Sequence, residues 1–221
     1  MNFRKYIWYN KSTKKEGIYY LEGIGETYEW KKVIITLGRE CGSGGHEIGE
    51  KLSKKLGIAF YDKNLIELAA KHSGLDLNVL GATDEKAPSP FISPYAPTIA
   101  DQLYRAQSDV IRDLSEKESF VIVGRCSNSV LEDREDVLNV FVYAPLRNRV
   151  HRVMERHLID SEDKARKEVL RTDKIRRTYY QYYSEYRWGE HESYDLMIDS
   201  SVFGIDGSVD VIVDAINRKF R

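Results

Sequence analysis

Five short apolar runs, separated by amphipathic segments, constrain the fold of this chain more than any other feature of its sequence. Nearly every position in these runs is apolar, and β-branched residues are frequent, which is typical of strands buried on both faces. Such strands pair in parallel sheets whose two faces are covered by helices. The runs lie at residues 33–37, 58–61, 120–123, 137–142 and 194–198.

Helical patterns occupy the intervals between the runs. Apolar residues recur three and four positions apart within residues 48–56, 99–114 and 209–216, and this spacing places them on one face of a helix. Strands that alternate with helices indicate βαβ units. The pattern therefore predicts an α/β fold.

Three segments depart from this alternation. Residues 1–31 are rich in Tyr, Lys and Gly, and we predict either a small β-hairpin or a loosely attached extension. Residues 83–98 contain four of the five prolines of the chain, which predicts a loop. Residues 161–191 carry a long, highly charged helical pattern with many tyrosines.

The composition argues against several classes of protein. The chain has 34 basic and 35 acidic residues and a net charge of −1, whereas nucleic-acid-binding proteins usually carry a clear basic excess. No apolar stretch approaches the roughly 18 residues of a membrane span. The two cysteines form no CxxC motif, which fits a reducing compartment. We therefore expect a cytoplasmic protein without nucleic-acid or membrane partners, while a homodimer stays open.

The stretch "GRECGSGGHEIG", residues 38–49, joins the first apolar run to a helical pattern. A loop in this place can direct several backbone N–H groups at one anion, and the helix N-terminus adds partial positive charge. Glycines let the backbone approach a phosphate closely. The stretch therefore predicts a phosphate-binding loop, although a tight strand-to-helix turn would have a similar composition.

Two charged residues directly follow predicted strands. Arg125 comes after the run at 120–123, and ligands of doubly wound sheets bind at the carboxyl ends of strands. The alternative is that Arg125 pairs with a structural carboxylate. Asp62 follows the run at 58–61 and either faces a substrate or caps a helix over residues 63–71.

Five segments resemble, in the same order, the bacterial cytidylate kinase-like proteins, a branch of the nucleoside monophosphate kinases. They are "ITLGRECGSGGHEIGEKLSKKLGIAFYDKNLI", "FVIVGRCSNSVL", "VFVYAPLRNRVHRVMER", "RTDKIRRTYYQYYSEYRWG" and "YDLMIDSSVFGIDGSVDVIV". The resemblance covers roughly residues 32–216. It implies a P-loop NTPase-type, doubly wound parallel sheet of about five strands, with helices on both faces and a helical lid.

The resemblance also implies a division of the chain and an activity. A kinase-like domain would span residues 32–221, with an acceptor-side insert at about 62–117 and a lid at about 157–191, and residues 1–31 would lie outside it. Such a protein would use Mg²⁺ and move the γ-phosphoryl group of ATP to a nucleoside monophosphate such as CMP. Its partners would be nucleotide substrates.

One position departs from cytidylate kinase proper. Gly45 stands where that enzyme has its P-loop lysine, which normally bridges the β- and γ-phosphates. Another cation can replace the lysine, and Arg39 and His46 flank the loop. Alternatively, nucleotide binding persists without phosphoryl transfer, because a missing charge clamp costs orders of magnitude in rate. A third interpretation is a kinase for another small molecule.

Individual roles follow from the resemblance. The phosphate-binding loop would consist of Gly42, Ser43, Gly44, Gly45 and His46. The acceptor would be bound by Asp62, Arg105 and Arg125, although Cys126 replaces the aspartate that follows the family's arginine. The catalytic cations would be Arg39, Arg171, Arg176 and Arg177. The lid would carry Arg152, Arg156, Asp173 and Lys174.

Two of these assignments have alternatives. The lid cations would also suit an exposed helix with weak i,i+4 ion pairs. Within the lid, Asp173 could orient one of the lid arginines. No residue is expected to bind Mg²⁺ directly. Glu40 could act through a water molecule or pair with Arg39.

Overall fold

A computed structural model of the chain describes residues 19–23, 26–30, 32–73, 85–88 and 98–220. The strands of this part are β1 (Tyr19–Gly23), β2 (Glu26–Trp30), β3 (Ile34–Arg39), β4 (Ala59–Tyr61), β5 (Phe120–Val123), β6 (Val137–Tyr143) and β7 (Leu196–Asp199). The helices are α1 (Gly45–Leu56), α2 (Asn64–Ser73), α3 (Ile99–Lys117), α4 (Ser127–Val130), α5 (Leu146–His157), α6 (Glu162–Tyr183) and α7 (Ser200–Lys219), with a 3₁₀ turn at His191–Ser193.

Strands β3 to β7 form one parallel sheet with the order β4-β5-β3-β6-β7. The central strand β3 pairs with both β5 and β6, so that Leu37 lies opposite Val123 on one side and Val140 on the other. Chain connections diverge from β3 to the two halves of the sheet, and this is where doubly wound folds bind ligands. The predicted α/β fold with five parallel strands is confirmed.

The two faces of β3 explain why its apolar run does not alternate with polar residues. Val33, Ile35 and Leu37 are fully buried in a cluster with residues of α1 and α7. Ile34, between them, is buried on the opposite face with residues of α2 and α3. Helices therefore cover both faces of the sheet, and the loop that follows β3 starts from a rigid strand.

Strands β1 and β2 pair in an antiparallel, two-stranded sheet of their own. Tyr19 lies opposite Trp30, and Gly23 lies opposite Glu26. The described part of the N-terminal segment is thus a β-hairpin, which was one of the two structures expected there.

Helices α5 and α6 fill the connection from β6 to β7. The hydroxyl of Ser161 caps α6 by accepting the N–H of Lys164. Apolar residues of α5, including Val150 and Val153, pack against Val169 of α6. None of the helices in the described ranges is long and apolar enough to cross a membrane.

The tyrosines of α6 form a packing seam within the chain. The ring of Tyr183 stacks on that of Tyr104 in α3 at 4.0 Å, and Tyr179 contacts both rings edge-on. The hydroxyl of Tyr183 donates to Asp101 at 3.0 Å. The seam fixes the C-terminal half of α6 against α3, above the carboxyl edge of the sheet.

Candidate functional site

The glycine-rich loop after β3 presents unpaired backbone donors. It turns at Gly42 and Gly44, whose φ angles are 78° and 85°. Helix α1 begins at Gly45 without a side-chain cap. Within the described ranges, the backbone N–H groups of Gly44, Gly45 and His46 have no hydrogen-bond acceptor. Free N–H groups at a helix N-terminus favour an anion.

Two buried side chains hold this loop in place. The N–H of Cys41 donates to Asp173 Oδ1 at 2.7 Å. Arg149 donates through Nη1 to Asp173 Oδ2 at 2.6 Å and to the carbonyl of Cys41 at 3.2 Å. Helices α5 and α6 therefore fix the start of the loop, and the arginine that Asp173 orients is Arg149.

Glu40 lies in the same network. Its Oε2 accepts the N–H of Ala144 at 3.2 Å and lies 3.1 Å from Arg149 Nε. The expected pairing with Arg39 is therefore wrong, because Arg39 leaves β3 in a different direction. Burial raises the pKa of the Glu40 carboxyl, against the lowering effect of the Ala144 hydrogen bond and the Arg149 charge.

Three arginines from distant parts of the chain converge on Glu85. Arg39 Nη1 donates to Glu85 Oε1 at 2.7 Å, and Arg125 Nη1 lies 3.0 Å from the same oxygen. Arg176 Nε lies 3.5 Å from Glu85 Oε2. Burial alone would raise the pKa of the Glu85 carboxyl, but the three guanidinium charges hold that pKa well below its usual range. These four residues form the cluster that we call the arginine cluster.

The turn after β5 directs Arg125 into this cluster. Gly124, Arg125 and Cys126 have φ angles of 78°, 60° and 53°, so three consecutive residues adopt left-handed conformations. For a residue with a side chain this costs of order 1–3 kcal/mol, and such strain is often found at functional sites. A Cβ at Gly124 would overlap Arg39 Nη1 and Glu85 Oε1. Glycine is thus required where Arg39 and Glu85 meet.

Gly45 makes room for Arg39. A Cβ at position 45 would lie 2.5 Å from the Cβ and 3.2 Å from the Cγ of Arg39. The side chain of Arg39 therefore occupies the space that a lysine at position 45 would need. From there it extends to Glu85, between the loop and the turn after β5.

Asp62 lies between His46 and Arg125. Its Oδ2 lies 2.8 Å from His46 Nδ1, and its Oδ1 lies 3.3 Å from Arg125 Nη1. Helix α2 begins at Asn64. The Asp62 carboxylate is engaged by these two partners, so the capping interpretation is wrong.

The cleft has one cationic end and one aromatic side. Its lining includes the arginine cluster, and the hydroxyl of Tyr180 accepts a hydrogen bond from Asn128 Nδ2 at 2.7 Å. The aromatic side is lined by Tyr179, Tyr180, Trp188 and Tyr194.

A second groove lies on the other side of the glycine loop. It runs between the loop, α5 and the first turn of α7, and its lining includes Gly42, Ala144, Arg147, Arg152 and Ser200. Arg152 Nη1 lies 3.3 Å from Glu47 Oε2, and Arg156 pairs with the same carboxylate. Both arginines therefore tie α5 to the first turn of α1.

Several of the residues singled out from the sequence do not reach the cleft. Arg177 lies over the ring of Trp188, at 5.4 Å from its centroid. Among the residues singled out from the sequence, those that are exposed and outside the cleft lining are His46, Arg105, Arg156, Arg171, Lys174 and Arg177.

Sequence reasoning missed Glu85 and the role of Arg149. Glu85 lies in the proline-rich segment, where no local pattern separates a buried carboxylate from a solvent-exposed one. Arg149 shares a helical face with Arg152 and Arg156, and spacing alone does not show which of the three turns inward. Among the described residues, no group of three or more His, Cys, Asp or Glu side chains could hold a metal ion.

Comparisons with known proteins agree with this architecture. A sequence model of the cytidylate kinase-like family matches residues 34–202. The chain is 24% identical over 186 residues to the cytidylate kinase of Methanoregula boonei, and the match covers 83% of this chain and 94% of that protein.

Solved structures of other proteins have a similar fold. An uncharacterized protein from Eubacterium ventriosum is 30% identical with a TM-score of 0.65, covering 84% of this chain and 99% of that chain. Shikimate kinase from Acinetobacter baumannii, in complex with shikimate, is 15% identical with a TM-score of 0.50, covering 84% and 93%. At that identity the likeness to shikimate kinase concerns the fold alone.

Proposed function

Because the chain belongs to the cytidylate kinase-like family, we propose that it transfers the γ-phosphoryl group of ATP to a nucleoside monophosphate such as CMP. The observation that carries this proposal is the convergence of Arg39, Arg125 and Arg176 beside an open glycine-rich loop. Phosphoryl transfer depends on positioning and on fixed positive charge around the transferred group. A cleft with three buried or half-buried guanidinium groups suits that chemistry.

The cleft and the second groove, which lie on either side of the glycine-rich loop, give the two substrates separate binding places. ATP would lay its phosphates on the free N–H groups of Gly44, Gly45 and His46 and its nucleoside in the groove between α5 and α7. The acceptor would lie in the cleft, with its phosphate toward Arg125 and Asp62 and its base toward the aromatic side. The transferred group would then pass across the end of β3, where Arg39 lies.

Arg39 is our candidate for the cation that Gly45 does not supply. Its Cβ and Cγ lie where a side chain at position 45 would begin, and its guanidinium extends toward the acceptor cleft. A cation on this path stabilises the developing charge on the phosphoryl group, whichever element carries it.

Helix α6 would act as the lid, and its Arg176 already lines the cleft. Arg171, Lys174 and Arg177 are exposed in this structure, and they would approach the phosphates only through closure of the lid. Closure of a kinase lid excludes water and completes the set of cations. Arg105 of α3 would need a comparable movement to reach an acceptor.

Mg²⁺ would be held mainly by the phosphates of ATP and by water molecules, as is usual for this ion. The described residues offer no group of direct ligands. The Glu40 carboxylate is adjacent to the loop but is engaged by Ala144 and Arg149. When bound, Mg²⁺ neutralises phosphate charge, and the loop and the arginines orient the groups.

The proposal is tested by measuring ADP formation from Mg-ATP with each nucleoside monophosphate in turn. We expect one of them to stimulate turnover and Arg125→Gln to weaken its binding more than that of ATP. If Mg-ATP raises the melting temperature but no monophosphate stimulates ADP formation, the chain binds nucleotides without transfer, as Gly45 alone would suggest. If a different small molecule stimulates ADP formation, the acceptor belongs to the chemical class of that molecule and is not a nucleoside monophosphate.

A further inference from the structure

Glu85 occupies the centre of the arginine cluster in the manner of a bound anion. Arg39 donates to both of its oxygens, Nη1 to Oε1 at 2.7 Å and Nη2 to Oε2 at 3.3 Å. This forked contact is the geometry with which arginine binds phosphate as well as carboxylate. Arg125 and Arg176 add their charges from two other sides.

Glu85 engages Arg176 less closely than it engages Arg39. The Nε of Arg176 is buried and makes no hydrogen bond within the described ranges, since Glu85 Oε2 lies 3.5 Å away. Burial and the neighbouring charge of Arg39 lower the pKa of the Arg176 guanidinium.

Glu85 is also held in an uncommon backbone conformation. Its φ angle is 54°, in the left-handed region. A residue with a side chain adopts this region at a cost of order 1–3 kcal/mol, and it persists only where surrounding contacts enforce it. The ion pairs with the arginines are such contacts, so a competing anion would release both the carboxylate and the strain.

We propose that the Glu85 carboxylate stands in for a phosphate dianion, and that a ligand's phosphate group binds Arg39, Arg125 and Arg176 in exchange for it. A tetrahedral dianion has more acceptor oxygens and more charge than one carboxylate, so it can accept a hydrogen bond from Arg176 Nε while it keeps the forked contact with Arg39. The identification of the ligand as the acceptor's monophosphate rests on the proposed function. The exchange itself does not, because it concerns only the anion and the arginines.

The experiment measures the affinity of the purified, full-length protein for inorganic phosphate by calorimetric titration at constant ionic strength. Glu85→Gln removes the competing charge with almost no change of shape. We expect the variant to bind phosphate at least about tenfold more tightly than the wild type. Glu132→Gln, at an exposed position, removes the same charge elsewhere and should leave the affinity unchanged.

A further variant separates the cluster from the glycine loop, which also suits phosphate. The loop is intact in Glu85→Gln, so its contribution cancels in the comparison. Adding Arg125→Gln to Glu85→Gln should abolish the gain in affinity. If Glu85→Gln binds phosphate no more tightly than the wild type, the proposal is overturned. Glu85 would then serve to position the arginines for the ligand and would not compete with it.

If Glu85→Gln fails to fold, Glu85→Asp serves in its place. The shorter side chain keeps the charge but withdraws the carboxylate from the three guanidinium groups. Phosphate should bind it more tightly than the wild type, and an unchanged or weaker affinity contradicts exchange. These titrations contain no nucleotide. They can therefore support the exchange of Glu85 for phosphate in a protein without kinase activity, and they can contradict it in an active kinase.

Discussion

A lysine at position 45 should impair this protein. A Cβ at position 45 would lie 2.5 Å from Arg39 Cβ, whereas ordinary contacts of this kind begin at 3.4 Å. Both atoms are attached directly to the backbone, one at the end of β3 and the other at the start of α1. Rotation of a side chain therefore does not relieve the overlap, and the loop has to move by about 1 Å relative to the strand.

The structure allows the size of the effect to be worked out. Forcing extra atoms into a packed site costs about 1–3 kcal/mol, while replacing a helical glycine gains about 1 kcal/mol. The net loss of stability for Gly45→Ala is therefore about 0–2 kcal/mol, which lowers the melting temperature by a few degrees. Activity should suffer more, because a misplacement of about 1 Å at a reacting centre can cost about 100-fold in rate.

The assay compares turnover and melting temperature for Gly45→Lys, Gly45→Ala and the wild type. Gly207→Ala is the matched control, because Gly207 also lies in a helix but its added Cβ would be 3.5 Å from the nearest atom, in Phe203. We expect at least a tenfold loss of turnover in both variants at position 45 and none in the control. Gly45→Lys with wild-type or higher turnover and an unchanged melting temperature would refute the reasoning.

Three further predictions follow from the same contacts. Arg176→Gln should lower turnover at least about tenfold, which corresponds to about 1.4 kcal/mol of barrier. Arg171→Gln, at an exposed position, should have less effect, and equal effects would contradict a role of the arginine cluster in turnover. Asp173→Asn should lower the free energy of unfolding in urea by about 3 kcal/mol, because it breaks a buried pair with Arg149, and an unchanged value would contradict this. Because the pKa of Glu85 is lowered in the folded state, its contribution to stability is present above the ordinary carboxyl pKa and declines as the pH falls below about 4.3. Unfolding of Glu85→Gln should therefore depend less on pH in that range, and an identical acid profile would show that Glu85 is not responsible.

The strands and most helices were predictable because their signals are local. A fully buried strand such as β5 has no polar face, so its apolar run coincides with the strand, Phe120–Val123. The long helix α6, at Glu162–Tyr183, also lies inside the predicted charged stretch. The predicted helical pattern runs to residue 191, but α6 ends at Tyr183, and the side chain of Tyr186 is 42% exposed. Spacing on a helix does not reveal where that helix stops.

The site was predictable only as far as it depends on the ends of strands. Arg39 and Arg125 follow β3 and β5, and parallel pairing brings those ends together. Arg176 and Glu85 reach the cleft from a helix and an irregular segment, so their arrival depends on tertiary packing. The direction of Arg149 depends on the same packing. No periodicity encodes these placements.

In the proposed mechanism, the arrangement around Gly45 links the cation of the glycine-rich loop to the acceptor side of the cleft. A lysine at the start of α1 would rise from the helix and serve the ATP phosphates alone. Arg39 instead comes from the strand, passes Gly45 and ends on Glu85 beside Arg125. If Glu85 gives way to a phosphate, the guanidinium of Arg39 loses its internal partner and becomes available between the two substrates. The cation of this loop would then depend on occupancy of the acceptor cleft, whereas a P-loop lysine does not.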